Sequence, residues 1–341
     1  MNTVASLLSR SLFRDREAAL ANSAVLLWVL AGWTVSFPCM AADSIAWNIL
    51  GVLLCVHTMV LAAYLIHEAA HQTLFAVRWA NSWAGEAMSF IDGSAYGSFE
   101  RIRHMHIRHH MDRVDLTCFD FKGLMHRRPM LRRSLQVLEW CYIPATEALM
   151  HLQVVWRPVF SRAHRPFLAR SMAMLALRVA LLAILGTWSL KALVLYFVAS
   201  GLLLHVLNFF DAFHHTFEQH FVAPDEPIAR GSRDRAYEQA NTYSNLLSTT
   251  HPWLNLLTLN FGYHNAHHER ASVPWYKLPT FHRSLYGEHA AAVMPLRELL
   301  RTWHRNRVRR VVSDDYGVPG PDGRRADAFV GAHGVSFLTV I

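Results

Sequence analysis

Residues 45–71 read IAWNILGVLLCVHTMVLAAYLIHEAAH, and this stretch decides the fold. Its first 22 residues, 45–66, contain no Asp, Glu, Lys or Arg. At ~1.5 Å per helical residue such a run reaches ~33 Å, enough to cross a hydrocarbon core ~30 Å thick. Three more stretches, 24–40, 171–187 and 191–210, are also long, apolar and nearly uncharged. The turns between them fall near Pro38 to Asp43 and Gly186 to Lys191. The expected fold is therefore an all-α membrane protein: four transmembrane helices in two hairpins, with a cytoplasmic helical cap. Working outward gives an N-terminal cytoplasmic segment 1–23, a membrane domain 24–311 and a tail 312–341. The tail's Gly, Pro and Asp content marks it as flexible. Ser9 to Glu17 is polar and holds three Arg, so no cleavable leader is expected.

Composition supports this plan. The chain is 52% apolar and 17% charged, against about 25% charged in soluble proteins. That content, with only 16 Gly and 13 Pro, excludes collagen-like and disordered classes. The net charge of +8 is not evenly spread. The N-terminal segment holds 3 Lys+Arg, His67 to Arg170 holds 14 and the region after Thr216 holds 14. The two turns hold none and one, Lys191. Positive charge marks the cytoplasmic side, so both termini and the long middle segment are expected there. Basic charge follows topology, which makes a nucleic-acid partner a poor explanation of it. Arg178 falls inside the third span and must snorkel, face protein or mark a misplaced boundary. Ser82 to Phe99 and Leu135 to Trp156 are fairly apolar but interrupted, and read as helices at the membrane interface.

The chain holds 22 His. His67-Glu68-Ala69-Ala70-His71 closes the second span, and its i,i+4 pair places both imidazoles on one helix face. His106-Ile107-Arg108-His109-His110 and His264-Asn265-Ala266-His267-His268 each repeat an HxxHH spacing. Asp211 to His215 ends the fourth span and adds His214 and His215. One such pair arises by chance, but three sets at the same ends of four spans do not readily do so. About thirteen other His need no special role. Imidazole suits iron, copper and zinc, and eight or nine ligands exceed what one ion takes, so two metals are implied. HEAAH also spells the HExxH zinc-protease motif, with Glu68 as base and Asp92 as a distal ligand. That reading leaves both HxxHH sets without a purpose. A non-catalytic metal- or heme-binding membrane protein would not need so many convergent His. The four Cys, Cys39, Cys55, Cys118 and Cys141, suggest neither a disulfide framework nor a thiolate metal site.

The three sets, in this order and spacing, resemble the membrane fatty-acid desaturase superfamily over roughly Ala24 to Arg283. The resemblance implies two irons held almost entirely by His, with O2 as co-substrate. Carried onto this chain, the ligands are His67, His71, His106, His109, His110, His264, His267 and His268. The family often adds a His after the fourth span, which makes His215 the ninth ligand and His214 a secondary candidate. Asp211 stands where the family has Asn, so it is a candidate for orienting a ligand from the outer shell. The implied reaction is desaturation of a fatty-acyl chain, with hydroxylation or oxidative decarboxylation to a terminal alkene as alternatives at the same site. Tyr237 to Tyr243 and Trp253 to Tyr263 would pack the cap or line a substrate tunnel. No ferredoxin-type Cys spacing is present, so electrons are expected from a separate donor of ferredoxin, rubredoxin or cytochrome b5 type. The Arg-rich faces Arg127 to Arg133 and Arg297 to Arg310 would dock it or meet lipid headgroups.

Overall fold

The computed structural model describes residues 12–117, 119–221, 227–229, 231–287, 293–313, 315–317, 326, 328–334 and 338–339. Residues 1–11 of the N-terminal segment, Cys118, His289 and half of the tail lie outside these. Helices α1 (Arg16–Ala41) and α2 (Ile45–Ala70) come first. Five shorter helices follow: α3 (Arg78–Asp92), α4 (Phe99–Asp112), α5 (Phe121–Arg127), α6 (Pro129–Trp140) and α7 (Ala145–Phe160). The long helices α8 (Leu168–Trp188) and α9 (Leu190–Ala212) come next. Then come α10 (Arg235–Ala240), α11 (His264–Glu269), α12 (Leu278–Tyr286) and α13 (Leu296–Asn306). Helices α1, α2, α8 and α9 are long and apolar enough to cross a membrane.

These four helices contain the apolar stretches and overrun them, because the flanking residues add no helix breaker. Asp15 caps α1, accepting a 2.7 Å bond from the Ala18 amide, so the helix starts at Arg16 rather than at residue 24. Helix α2 runs past residue 66 to Ala70, which puts His67 on the helix and His71 at its C-cap. Asn48 closes the α1–α2 turn by donating to the carbonyls of Cys39, Met40 and Ala42. Lys191, in the first turn of α9, donates to the same Ala42 carbonyl and ties the two turns together.

Helix α2 is the centre of the bundle. Every residue from Thr58 to Ala70 is buried, against α1, α3 and α9. Lipid gives helices little hydrophobic reason to associate, so close backbone approach matters more than side-chain bulk. Gly51 supplies it: a Cβ there would meet the Met40 amide nitrogen at 2.8 Å and the Ser36 carbonyl oxygen at 2.9 Å. Backbone cannot step aside as a flexible side chain can. Gly51→Val is therefore expected to force α1 from α2 and cost ~1–3 kcal/mol, read as a lower unfolding midpoint in detergent. An unchanged midpoint would refute the role given to this contact. Helix α8 is the opposite case, with only Ser171 and Leu185 buried, as suits a face turned to lipid.

Arg178 faces protein. Its guanidinium donates 2.6 Å to the Phe90 carbonyl and 3.3 Å to the Tyr196 hydroxyl, and lies over the Phe90 ring. The stretch 82–99, expected as one helix, is broken: α3 stops at Asp92, and Gly93 takes the left-handed conformation (φ 96°) that favours Gly. The stretch 135–156 is likewise split, between α6 and α7, at Cys141 to Pro144.

Two features outside the spans position the site. The strands β1 (Asp115–Thr117) and β2 (Gln219–Phe221) pair in parallel, with Asp115 opposite Gln219 and Thr117 opposite Phe221. This pairing joins the segment after His110 to the segment after His215. The second is a set of described tail residues packed against the end of α9. Ala326, Phe329, Val330, Ala332 and His333 are buried. Phe329 packs on Phe213 and Tyr243, and the Ala332 amide donates 2.8 Å to the Ala212 carbonyl at the end of α9. An apolar A-x-A-F-V-G-A run within a polar tail has enough apolar surface to dock.

Candidate metal centre

Box spacing and helix geometry together sort the histidines. At ~100° per helical residue, positions i and i+4 lie ~40° apart, while i+3 lies ~60° to the other side. A helix carrying HxxHH therefore presents its His in two directions. On α4, His106 and His110 point one way and His109 the other; on α11, His264 and His268 point one way and His267 the other.

The structure brings these directions together from four elements. Ligand atoms of His67, His71, His106, His110 and His267 all lie within 4.8 Å of one another. Those of His109, His215 and His268 form a second such group. His264 joins this group through His215, with their Nε2 atoms 2.8 Å apart. Each HxxHH thus sends its i,i+4 pair to one group and its i+3 residue to the other, in opposite senses. Eight of the nine His expected as ligands fall in these two groups, and His264 adjoins the second through His215.

The chemistry of the donor set fits metal ions. Nε2 of His71 lies 2.8 Å from Nε2 of His106, Nε2 of His67 lies 3.0 Å from Nε2 of His267, and His110 approaches His106 and His267 at 3.2 Å. A neutral imidazole has one donor and one acceptor nitrogen, so five rings converging through Nε2 cannot all be satisfied by pairwise hydrogen bonds. Burial and the neighbouring imidazoles push His71, His106, His110, His215, His264, His267 and His268 well below the usual His range. Burial also takes His109 down to about 4. Neutral rings are the form that binds metal.

Outer partners fix the ring orientations. The His109 Nδ1–H donates 2.8 Å to the Val114 carbonyl, and the Asp115 carboxylate lies 3.5 Å from the same nitrogen. The His268 Nδ1–H donates 2.9 Å to Glu238, leaving a buried Nε2 with no hydrogen-bond partner, directed at the second group. Glu238 also receives 2.8 Å from Arg113. Phe217 stacks on His215, and Tyr237 stacks on Phe217 in turn. Sequence reasoning did not single out Glu238, Asp115 or Val114. Glu238 lies within the polar and aromatic run from Tyr237 to Tyr243, next to the Tyr237 ring that stacks on Phe217.

The remaining candidates separate from the ligand groups. His214 stacks on His264, with ring centroids 3.9 Å apart, and its Nε2 bonds Asn245 at 2.7 Å. Asp211 lines a cavity of about 50 Å³ beside the groups, together with Asp115, Met105, Leu116 and Phe261. The zinc-protease reading loses its base. The Glu68 carboxylate accepts from the Thr73 hydroxyl at 2.6 Å and the Trp275 amide at 3.1 Å. Asp92 accepts from the backbone and hydroxyl of Ser94, and burial pushes its carboxyl up to about 7. It belongs to none of the metal-competent clusters among the described residues. Within the second Arg-rich stretch, Arg310 is buried, donating 2.7 Å to the Val330 carbonyl and lying over Trp303, so it offers no charge to a partner.

The chain is similar to known proteins over most of its length. The family model described as fatty acid desaturase matches residues 44–299. The rat (Rattus norvegicus) sphingolipid delta(4)-desaturase/C4-monooxygenase DES2 is 29% identical over 231 residues, covering 65% of this chain and 60% of that protein. The human (Homo sapiens) sphingolipid delta(4)-desaturase DES1 is 28% identical over 234 residues, with the same coverage. The matched region therefore spans about 60% of the length of these curated relatives.

Proposed function

This chain belongs to the fatty acid desaturase family, and from that premise we propose that it is a membrane-bound di-iron oxidoreductase that uses O2 and external electrons to desaturate a fatty-acyl chain. The convergence of two His groups beside a cavity that Met105, Leu116 and Phe261 help to line carries this reading. His67, His71, His106, His110 and His267 hold one iron, and His109, His215, His264 and His268 hold the other. When bound, the irons supply the redox chemistry that activates O2 and removes hydrogen from an unactivated methylene.

The chain's own residues set the conditions for that chemistry. Imidazole ligands bring no fixed negative charge to the site. Glu238 and the Val114 carbonyl hold His268 and His109 in the tautomers that turn Nε2 inward. Met105, Leu116 and Phe261 give the cavity an apolar wall among its His and Asp residues, against which part of an alkyl chain can pack. Placement of that chain sets the rate, since a ~1 Å error can cost ~100-fold. The His-bearing ends and both termini face the cytoplasm, where most Lys and Arg lie. A separate electron donor docks there, and exposed Arg127, Arg128 and Arg133 give it a positive face.

The names of both relatives point to a sphingolipid as the first substrate to test, and the rat relative's name, which includes a monooxygenase activity, supports hydroxylation as a second outcome. Metal analysis of the purified protein is expected to find two irons per chain. Lipid mass spectrometry of cells with and without the gene is expected to show a double bond, or a hydroxyl, that depends on it. One zinc and no iron, or lipid profiles that do not change, would overturn the proposal.

A further inference from the structure

The 3-10 turn Pro252–Thr258, which leads into the third His set, exposes three large apolar side chains: Trp253 (64%), Leu256 (49%) and Leu257 (47%). Such a cluster on a short turn is costly against water. Its depth in the molecule shows what it meets instead. The Leu257 backbone lies against the ring of His57 on α2. His57 is ten residues before His67, which at ~1.5 Å per residue puts it ~15 Å from that ligand, toward the turn joining α1 to α2. Trp28 on α1 donates 3.2 Å to His57 at the same level. Trp28 is itself exposed, as are Leu27 and Leu53 on either side, so the turn is continuous with the apolar outer faces of α1 and α2.

The backbone of the turn suits hydrocarbon as well. Irregular backbone is tolerated near lipid only where its polar groups are satisfied internally. Here the Leu254, Leu259, Asn260 and Phe261 amides donate to the carbonyls of His251, Leu256, Asn255 and Thr258. The Asn255 side chain accepts from the Leu247 amide and donates to the Ser248 carbonyl, closing the neck of the turn. A Trp beside two Leu is also the composition of a membrane-interface anchor.

We infer that the turn Pro252–Thr258 is inserted into the hydrocarbon edge of the bilayer and anchors the third His set to the lipid surface. Phe261, which lines the cavity beside the metal groups, is four residues beyond Leu257 and so at most ~14 Å from it. Insertion therefore places the cavity wall next to lipid, where an alkyl chain can enter sideways. The inference needs only that the spans lie in a bilayer, and it stands or falls separately from the reaction catalysed.

The test uses the full chain in phosphatidylcholine proteoliposomes, with Cys118 and Cys141 replaced by Ser and a nitroxide attached at Leu257→Cys. Leu53→Cys on the outer face of α2 and exposed Arg133→Cys on α6 serve as references. The expected result is broadening by O2 and loss of broadening by a water-soluble nickel chelate, matching position 53. Nickel broadening like that at position 133 would overturn the inference. So would shielding from both reagents, which would assign the turn to a protein partner such as a second copy. Leu256→Cys carries the same expectations and replaces Leu257→Cys if that variant does not insert.

Discussion

Replacing His267 by alanine is expected to abolish turnover and bring bound iron from two toward one per chain, while membrane insertion is kept. His267 is the one residue of the third His set in the five-His group, where its Nε2 meets His67 at 3.0 Å and His110 at 3.2 Å. Removing it takes away a ligand and leaves a buried gap among imidazoles that repel any added proton. Losing an outer-shell partner costs ~10–100-fold in affinity or activity, and losing a ligand that also bridges two helices is expected to exceed that. The measurement pairs iron content with product formation in membranes of matched protein level. Retained turnover with full iron would remove His267 from the site.

The second large effect belongs to Glu238, which lies with His110 and His268 in a third group able to hold a metal. Its carboxylate receives the His268 Nδ1–H on one side and the Arg113 guanidinium on the other. In Glu238→Ala, the buried His268 donor and the half-buried Arg113 lose this acceptor, and the His268 ring is free to turn or change tautomer. A ~10–100-fold loss of iron affinity is expected, with activity falling in parallel. Glu238→Gln keeps an acceptor oxygen and should recover much of the loss, whereas a purely volumetric role would make Gln indistinguishable from Glu. The readout is an iron-binding titration of the purified apoprotein followed through the metal's own absorption, which a packing defect alone would not shift. Equal affinities in Glu238, Gln and Ala proteins would refute the assignment.

Much of the centre is readable from residues 45–71, 106–110 and 264–268 because helical spacing is local. A run of 22 uncharged residues announces a span, and i,i+4 His announce a shared face without any knowledge of the rest of the chain. Arg178 shows the limit of such reading. Its place in an apolar stretch posed a question that only the Phe90 carbonyl, 88 positions away in sequence, answered. The tail shows it too: nothing in its composition marks Phe329 as the residue that packs between Phe213 and Tyr243.

The sequence by itself determined the four apolar helices, the identity of the nine candidate ligands and the expectation of two metals, since each depends on residue type and short-range periodicity. Only the tertiary structure decided how those ligands divide. The split into five and four depends on the angles at which α2, α4 and α11 meet, and on β1 and β2 drawing His109 toward His215. It likewise decided that Glu238, 30 residues before His268, is the carboxylate holding that ring. Helical periodicity fixes where a side chain points on its own helix. The partner it meets is set by packing between segments far apart in the chain, which no local pattern encodes.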